Sequence, residues 1–291
     1  MKEYTRTDLA LEKRTGSYGW NNARLCREER LNGAVITEIA VPQKNEKTDT
    51  YVTVAKDKLW DSEEIDYEIL TDTISKELRK LAVKSCGKDT DSDFSVMIAG
   101  LGNSEITADA IGPLTVKKLT VTRHLKVFEP DIYSKLGTCE ISALAPGVLG
   151  QTGIESAELI LGAVQSSAPD LVVAVDALAA RSCERLASVI QISDAGISPG
   201  SGIGNTRRAI DKASLGIPVI SVGVPTVVNS STLVYDALEK AGISEIDENL
   251  KKILETGKSF FVTPKESDII TKKLAEILAT SIDKAFTADI L

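Results

Sequence analysis

The chain has little histidine, few aromatic residues and no excess of positive charge among its 291 residues. The single histidine excludes a histidine-rich metal site, and a Ser-His-Asp triad would depend on His124 alone. Aromatic residues make up 4% of the chain, too few for a surface that stacks nucleic-acid bases. The formal net charge of −8 argues against a general nucleic-acid binder, because such proteins usually carry a basic face.

Cysteines and long apolar runs are also scarce. The four cysteines are far apart and form no Cys-x-x-Cys pair (Cys26, Cys86, Cys139 and Cys183), so their spacing favours reduced thiols over zinc ligands or a disulfide framework. No apolar run reaches the ~18 residues of a membrane span. The N-terminus is charged throughout and is not a secretory signal. We therefore expect a soluble cytoplasmic protein without a cofactor or bound metal.

What the chain does contain is an alternation of two apolar patterns. The apolar content of 43% is enough to bury a sizeable core. Near-continuous aliphatic runs are typical of parallel strands buried on both faces, and they lie at 94–99, 170–175 and 217–222. Helical periodicity occupies 60–86, 108–119, 154–164, 231–240 and the region after 264. This alternation predicts an α/β fold, a three-layer sandwich with a mostly parallel central sheet and a small N-terminal appendage. The predicted division is an N-terminal arm of residues 1–30 and a single α/β domain of residues 31–291.

Two aspartates follow predicted strands at the edge where open α/β sheets bind ligands. Asp176 closes the strand 170–175, and Asp109 follows the strand 94–99 at the start of a helix. An aspartate at a helix start commonly only caps the helix. A carboxylate at the end of an apolar strand is costly to desolvate without a function. If the two side chains face each other, one pKa rises, so one carboxylate can accept a proton from water while the other protonates a leaving amine.

A glycine-rich segment spans residues 193–205 (SDAGISPGSGIGN). Gly200, Gly202 and Gly204 give G-x-G-x-G, which is not the dinucleotide fingerprint, and no P-loop motif occurs in the chain. The segment is either a flexible loop beside a substrate cleft or a plain connection. Three other polar residues are supporting candidates for catalysis: Asp194 in this segment, Asn103 in the GLGN turn, and His124.

Several segments resemble the germination protease family of spore-forming bacteria. They are RTDLALE, GLGNSEITADAIGP, TRHL, APGVLGQTGIES, VAVDALAARS, QISDAGISPGSGIGN, GIPVISVGVPTVV and VTPKESD. The resemblance implies an atypical aspartic endopeptidase, related in fold to hydrogenase maturation proteases, that initiates degradation of small acid-soluble spore proteins during germination. The family's two essential aspartates fall in its TxDxxGP and DALAARS motifs, which are Asp109 and Asp176 here. The resemblance further implies a homotetramer in the cytoplasm of the forespore or in the spore core, with no direct contact to nucleic acid or membrane.

The resemblance also implies a zymogen that processes itself. The family cuts after an acidic residue and before a hydrophobic one followed by alanine. Asp8, Leu9 and Ala10 fit this preference, which predicts a propeptide of residues 1–8 removed by a cut between Asp8 and Leu9. An acidic residue before the cut needs a cationic pocket. We expect at least one of three arginines to line the cleft: Arg181, Arg207 and Arg208.

Two other functions stay open on the sequence alone. Asp109, Asp176 and His124 could imitate a metal-dependent hydrolase of the hydrogenase-maturation type. A non-catalytic α/β module could instead hold an anion on the glycine-rich segment. The chain also departs from the family in a shortened region before the C-terminal helix, and residues 16–93 show little resemblance to it.

Overall fold

The computed structural model describes residues 6–15, 20–43, 47–61, 63–200, 207–243, 246–256 and 260–287. The strands in this part of the chain are β1 (Arg24–Leu31), β2 (Ala34–Pro42), β3 (Thr48–Ala55), β4 (Ser95–Gly100), β5 (Glu140–Leu144), β6 (Leu171–Ala180), β7 (Val189–Ser193), β8 (Val219–Asn229) and β9 (Phe261–Val262). The helices are α1 (Ala10–Thr15), α2 (Glu64–Cys86), α3 (Ile111–Val116), α4 (Arg123–Phe128), α5 (Pro130–Tyr133), α6 (Leu149–Thr152), α7 (Ser156–Ser167), α8 (Lys212–Leu215), α9 (Ser230–Lys240), α10 (Glu248–Thr256) and α11 (Ser267–Phe286).

The strands form one sheet in the order β1-β2-β3-β7-β8-β6-β4-β5, with β9 paired to β8. The predicted α/β class is confirmed, and the three aliphatic runs become the adjacent parallel strands β4, β6 and β8. The sheet is mixed rather than mostly parallel. Strands β1, β2 and β3 pair antiparallel because they follow one another through short connections, and β7 pairs antiparallel to both β3 and β8. The sheet begins at Arg24, and the domain boundary near residue 30 stays a prediction.

Each face of the sheet is covered by a different set of elements. Helices α2, α3 and α11 pack on one face, over the main apolar core. Helices α7 and α8 cover part of the other face. The rest of that face is covered by residues that precede and begin α1, where Leu9 and Ala10 are buried in two smaller apolar clusters. Asp176, near the carboxyl end of β6, belongs to this second face. The predicted site therefore lies between α7 and the N-terminal segment.

The helix boundaries differ from the sequence pattern mainly near the predicted site. Helix α2 follows the periodicity closely and ends where Gly87 adopts a left-handed conformation with φ of 70°. The predicted helix 108–119 is instead a 3₁₀ turn, Thr107–Asp109, followed by the shorter α3. None of the helices described is both long and apolar enough to cross a membrane.

Candidate active site

Asp176 lies inside strand β6 rather than at its end, because β6 continues to Ala180 beside β8. Its side chain is 5% exposed, and one carboxyl oxygen, Oδ1, accepts the backbone N–H of Ala177 at 2.9 Å. Burial raises the pKa of Asp176 well above its usual value, and the neighbouring charge of Asp109 raises it further. Asp176 therefore retains its proton to a higher pH than an ordinary aspartate.

Asp109 is the last residue of the 3₁₀ turn between β4 and α3. Burial raises the pKa of Asp109, while the backbone N–H of Asn103, at 2.7 Å from Oδ2, and the positive charge of Arg207 act in the opposite direction. These two partners favour the ionised form of Asp109. The pair is thus asymmetric, with Asp176 suited to hold a proton and Asp109 suited to accept one.

Two glycines allow the Asp109 turn to lie directly against the strand ends. A Cβ at Gly112 would stand 2.3 Å from the carbonyl oxygen of Leu101 and 2.6 Å from that of Val175. Gly102 has φ of +111°, and a Cβ there would stand 2.0 Å from the carbonyl oxygen of Asp109. No side chain fits at either position, so the glycines of the GLGN and IGP motifs permit the close approach that brings Asp109 next to β6.

The two aspartates open onto a cleft made of two adjoining cavities. The larger cavity, of about 340 Å³, is lined by both Asp109 and Asp176 and is mainly apolar. The smaller cavity, of about 250 Å³, is mainly polar and is lined by Asp176, Tyr51 and Gln191 among others. Asp8 lines both cavities, so the N-terminal segment lies between them.

The N-terminal segment runs alongside the end of β6 like an additional short strand. The Asp8 N–H donates to the carbonyl of Ala179 at 2.9 Å, and the Ala179 N–H donates to Asp8 Oδ2 at 2.9 Å. Leu9 is 2% exposed and packs against an apolar pocket whose buried members are Leu178, Ala180, Val189 and Val228. Full burial of a leucine side chain contributes about 1.5–3 kcal/mol, so Leu9 anchors the segment in the cleft.

Glu12 connects the far end of this segment to the loop after β6 through hydrogen bonds. Its two carboxylate oxygens accept the backbone N–H groups of Arg181 and Ser182 at 2.8 and 3.0 Å. The hydroxyl of Thr7 also donates to Glu12. The backbone between Thr7 and Glu12 is therefore held at both ends, with the peptide bond between Asp8 and Leu9 inside the cleft.

The three predicted arginines have different positions. Arg207 and Arg208 line the larger cavity, which Asp8 also lines. Arg181 lines neither of the two cavities. Its side chain instead pairs with two acidic residues of α9, Asp236 and Glu239. Of the three predicted arginines, the two that follow the glycine-rich segment thus lie at the cleft, and their role stays a prediction.

Of the three supporting candidates, Asn103 contacts the aspartate pair, whereas Asp194 and His124 lie elsewhere. Asp194 accepts the backbone N–H of Thr50 at 2.6 Å, and His124 is exposed on α4. Neither lines either cavity. The Asn103 backbone holds Asp109, and its side-chain oxygen accepts from the Gln151 amide at 2.7 Å, so it orders the adjoining loops.

The glycine-rich segment is described in part. Gly200 lines both cavities, whereas Gly202 and Gly204 lie outside the described residues. Across the described part of the chain, no group of three or more His, Cys, Asp or Glu side chains is arranged to hold a metal ion.

Sequence reasoning missed two residues of the cleft. Gln191 lies on β7, and Lys13 lines the smaller cavity, where it is close enough to Asp8 for the two charges to interact. Gln191 opens the QISDAGISPGSGIGN segment, but nothing in that segment marks the glutamine as functional. The signal that could have found it is the register of the sheet, since Gln191 pairs with Gly223, which in turn pairs with Asp176.

Comparisons with known proteins show what this chain is similar to. The family model described as germination protease matches residues 24–241. The germination protease of Clostridium acetobutylicum is 39% identical over 96% of this chain and 94% of its own length. Those of Caldanaerobacter subterraneus subsp. tengcongensis and Bacillus velezensis are 38% and 34% identical over 96% of this chain and over 93% and 92% of their own lengths.

Proposed function

This chain belongs to the germination protease family, which makes it an endopeptidase of spore germination, and from this premise we propose that it cleaves small acid-soluble spore proteins with an aspartate pair, Asp109 and Asp176. The observation that carries the proposal is the asymmetric pair in one cleft. Burial raises the pKa of both carboxyls, that of Asp176 well above its usual value, while the Asn103 N–H and Arg207 act in the opposite direction on the pKa of Asp109.

The proposed reaction needs one proton shared by the pair. The ionised Asp109 accepts a proton from water, and the water oxygen adds to the carbonyl carbon of the peptide bond. The protonated Asp176 then donates its proton to the amide nitrogen as the C–N bond breaks. The products are a new carboxyl group and a new amine, and the pair still holds one proton, now on Asp109. Return of that proton to Asp176 restores the starting state.

We also propose that the chain is a zymogen that cuts itself between Asp8 and Leu9. Asp8 lines the cleft and Leu9 is buried beside it, as the residues on either side of a cut would be in a substrate, and the Asp8 carboxylate accepts the Ala179 N–H. While it is uncut, this segment occupies the space that another substrate needs. The bound Asp8 carboxylate, together with Arg207 and Arg208 on the same cavity, supports a preference for an acidic residue before the cut.

The test is cleavage of a purified small acid-soluble spore protein, with the new N-termini identified by mass spectrometry. We expect cuts after an acidic residue and before a hydrophobic residue followed by alanine. Asp109→Asn and Asp176→Asn should each abolish these cuts, whereas Asp89→Asn, which removes an exposed carboxylate, should not. Unchanged cleavage by both site variants would refute the aspartate pair.

Two further measurements address the remaining proposals. Loss of activity with a chelator, and its recovery with added metal, would support the metal-dependent alternative instead. Sedimentation equilibrium of the intact chain tests the homotetramer, which a mass of one 31.2 kDa chain would contradict.

A further inference from the structure

The side-chain amide of Gln191 contacts the backbone on both sides of Leu9. Its Nε2 group donates to the carbonyl oxygen of Asp8 at 3.3 Å, and its Oε1 accepts the N–H of Ala10 at 2.7 Å. These two backbone groups are the pair that a neighbouring strand would engage in a sheet. A single side chain therefore takes the place of a strand at this point. The carbonyl of Asp8 belongs to the bond that the proposed self-cleavage would break.

The orientation of this amide is determined by its partners. A backbone N–H only donates and a carbonyl oxygen only accepts, so Oε1 must face Ala10 and Nε2 must face Asp8. Gln191 is 7% exposed, and a buried amide without hydrogen bonds is unfavourable. Once the N-terminal segment leaves, the backbone of an incoming peptide can satisfy the same two groups. Gln191 is thus equipped to bind any peptide backbone, whatever its side chains.

The sheet register directs Gln191 toward the aspartate pair. Gly223 of β8 pairs with Asp176 of β6 on one side and with Gln191 of β7 on the other. Residues paired across neighbouring strands project from the same face of a sheet. Gly223 itself has no side chain, and the Leu178 side chain lies over it, since a Cβ at Gly223 would stand 2.6 Å from Leu178. The acid and the amide are therefore on one face of the sheet with the Asp8–Leu9 segment beside both.

We propose that Gln191 is a catalytic residue of this enzyme, which binds the carbonyl oxygen of the scissile bond and stabilises the negative charge that develops on it when water adds. The inference rests on the proposed function, since it needs the bond after Asp8 to be the one that is cut. In the transition state the oxygen gains charge, so a donor already aimed at it binds more strongly than in the ground state. Removal of one such donor typically slows catalysis by about 10² to 10³-fold.

Two substitutions with different chemistry distinguish a catalytic role of Gln191 from a merely structural one. In Gln191→Glu, the introduced carboxyl keeps an acceptor for the Ala10 N–H. It can donate toward Asp8 only while it is protonated. Gln191→Met keeps neither group at any pH. Gln165→Glu places the same added charge on the exposed surface of α7 and serves as the matched control.

The experiment follows self-cleavage of the full chain by mass spectrometry, as a first-order rate over a range of pH. At neutral pH, Gln191→Glu and Gln191→Met should both be slower by about 10² to 10³-fold, and Gln165→Glu should be unchanged. As the pH falls, the rate of Gln191→Glu relative to the unmodified chain should rise, while the ratio for Gln191→Met stays low. The titratable side chains that line the same cavity are Asp8, Lys13, Tyr51, Asp176 and Asp211, and comparison with Gln191→Met at each pH corrects for their effects.

The outcomes separate this inference from the proposed function. A neutral-pH rate for Gln191→Glu equal to that of the unmodified chain, or a ratio independent of pH, would overturn the role of Gln191 alone. An unmodified chain that stays intact, or Asp176→Asn cutting at the unmodified rate, would overturn the proposed function and this inference with it.

Thermal unfolding of each variant shows whether it folds. Should neither Gln191 variant fold, a modified peptide provides the test in the unmodified, self-cleaved enzyme. A peptide of residues 4–15 with N-methylalanine at position 10 lacks the N–H that bonds to Oε1 of Gln191 and so holds the amide in place. We expect kcat/KM to fall by tenfold or more relative to the unmethylated peptide, because Oε1 loses its donor. Equal values would overturn the inference.

Discussion

Replacing Asp176 by asparagine should make the folded chain more stable, by an amount that grows as the pH rises. Asp176 is 5% exposed, and burial followed by the charge of Asp109 raises its pKa above the ordinary value of 3.8. A buried carboxyl of this kind is unfavourable once it ionises, and asparagine preserves its shape without a charge. Stability lost at a functional group in this way is a common consequence of selection for activity.

The sign and size of the effect follow from proton linkage. Between the ordinary pKa and the raised one, native Asp176 keeps a proton that the unfolded chain has released. The native state therefore binds more protons, and the free energy of unfolding falls as pH rises. One such proton gives a slope of up to about 1.4 kcal/mol per pH unit. The advantage of Asp176→Asn should start near pH 4, widen by up to that amount per unit, and become constant once native Asp176 ionises.

The assay is urea-induced unfolding at pH 4, 5, 6 and 7, on chains whose mass shows that residues 1–8 are retained. Asp89→Asn removes an exposed carboxylate and controls for the loss of one charge. A difference between Asp176→Asn and the unmodified chain that is the same at pH 5 and pH 7 would refute the reasoning. So would a variant that becomes relatively less stable with rising pH.

Three other changes test the parts of the site separately. Gly112→Ala should lower the free energy of unfolding by about 1–3 kcal/mol in urea titrations, because its Cβ overlaps two carbonyl oxygens. An unchanged midpoint would contradict the packing described. Leu9→Ala removes about 2 kcal/mol of apolar burial and should therefore slow self-cleavage, followed by mass spectrometry, by up to about thirtyfold. An equal rate would show that the Leu9 pocket does not hold the segment in place. In peptide assays, Arg207→Glu or Arg208→Glu should weaken the preference for Glu over Gln before the cut, whereas Arg181→Glu should leave it unchanged. An unchanged preference in all three variants would exclude a cationic subsite.

The apolar patterns predicted the fold class well because they are local. The aliphatic runs became β4, β6 and β8, and the helical periodicity of 60–86 became α2. The attachment of β1, β2 and β3 to the rest of the sheet was not predicted, since the pairing between β3 and β7 joins residues far apart in the chain. Strand β6 also extends past its predicted end, because the residues after Asp176 continue to pair with β8 through a register shift between Leu178 and Ala179.

Among the residues of the cleft, too, those marked by local sequence were predicted and those defined by long-range contacts were not. Asp109 and Asp176 stand out in the sequence because carboxylates beside apolar strands are unusual. Gln191 does not, since its contacts with Asp8 and Ala10 span more than 180 residues. The N-terminal residues were likewise predicted as an arm because they lack a periodic pattern, yet Leu9 and Ala10 are buried in two apolar clusters against the sheet. Such a segment is recognised by its fit to the site and not by its own periodicity.

Self-cleavage of the full chain tests the central claim most directly. The unmodified protein and Asp176→Asn are incubated at mildly acidic pH, and their N-termini are sequenced over time. We predict a new chain starting at Leu9 in the unmodified protein and none in Asp176→Asn. The same new N-terminus appearing at the same rate in both proteins would contradict an aspartate pair that acts on the Asp8–Leu9 bond.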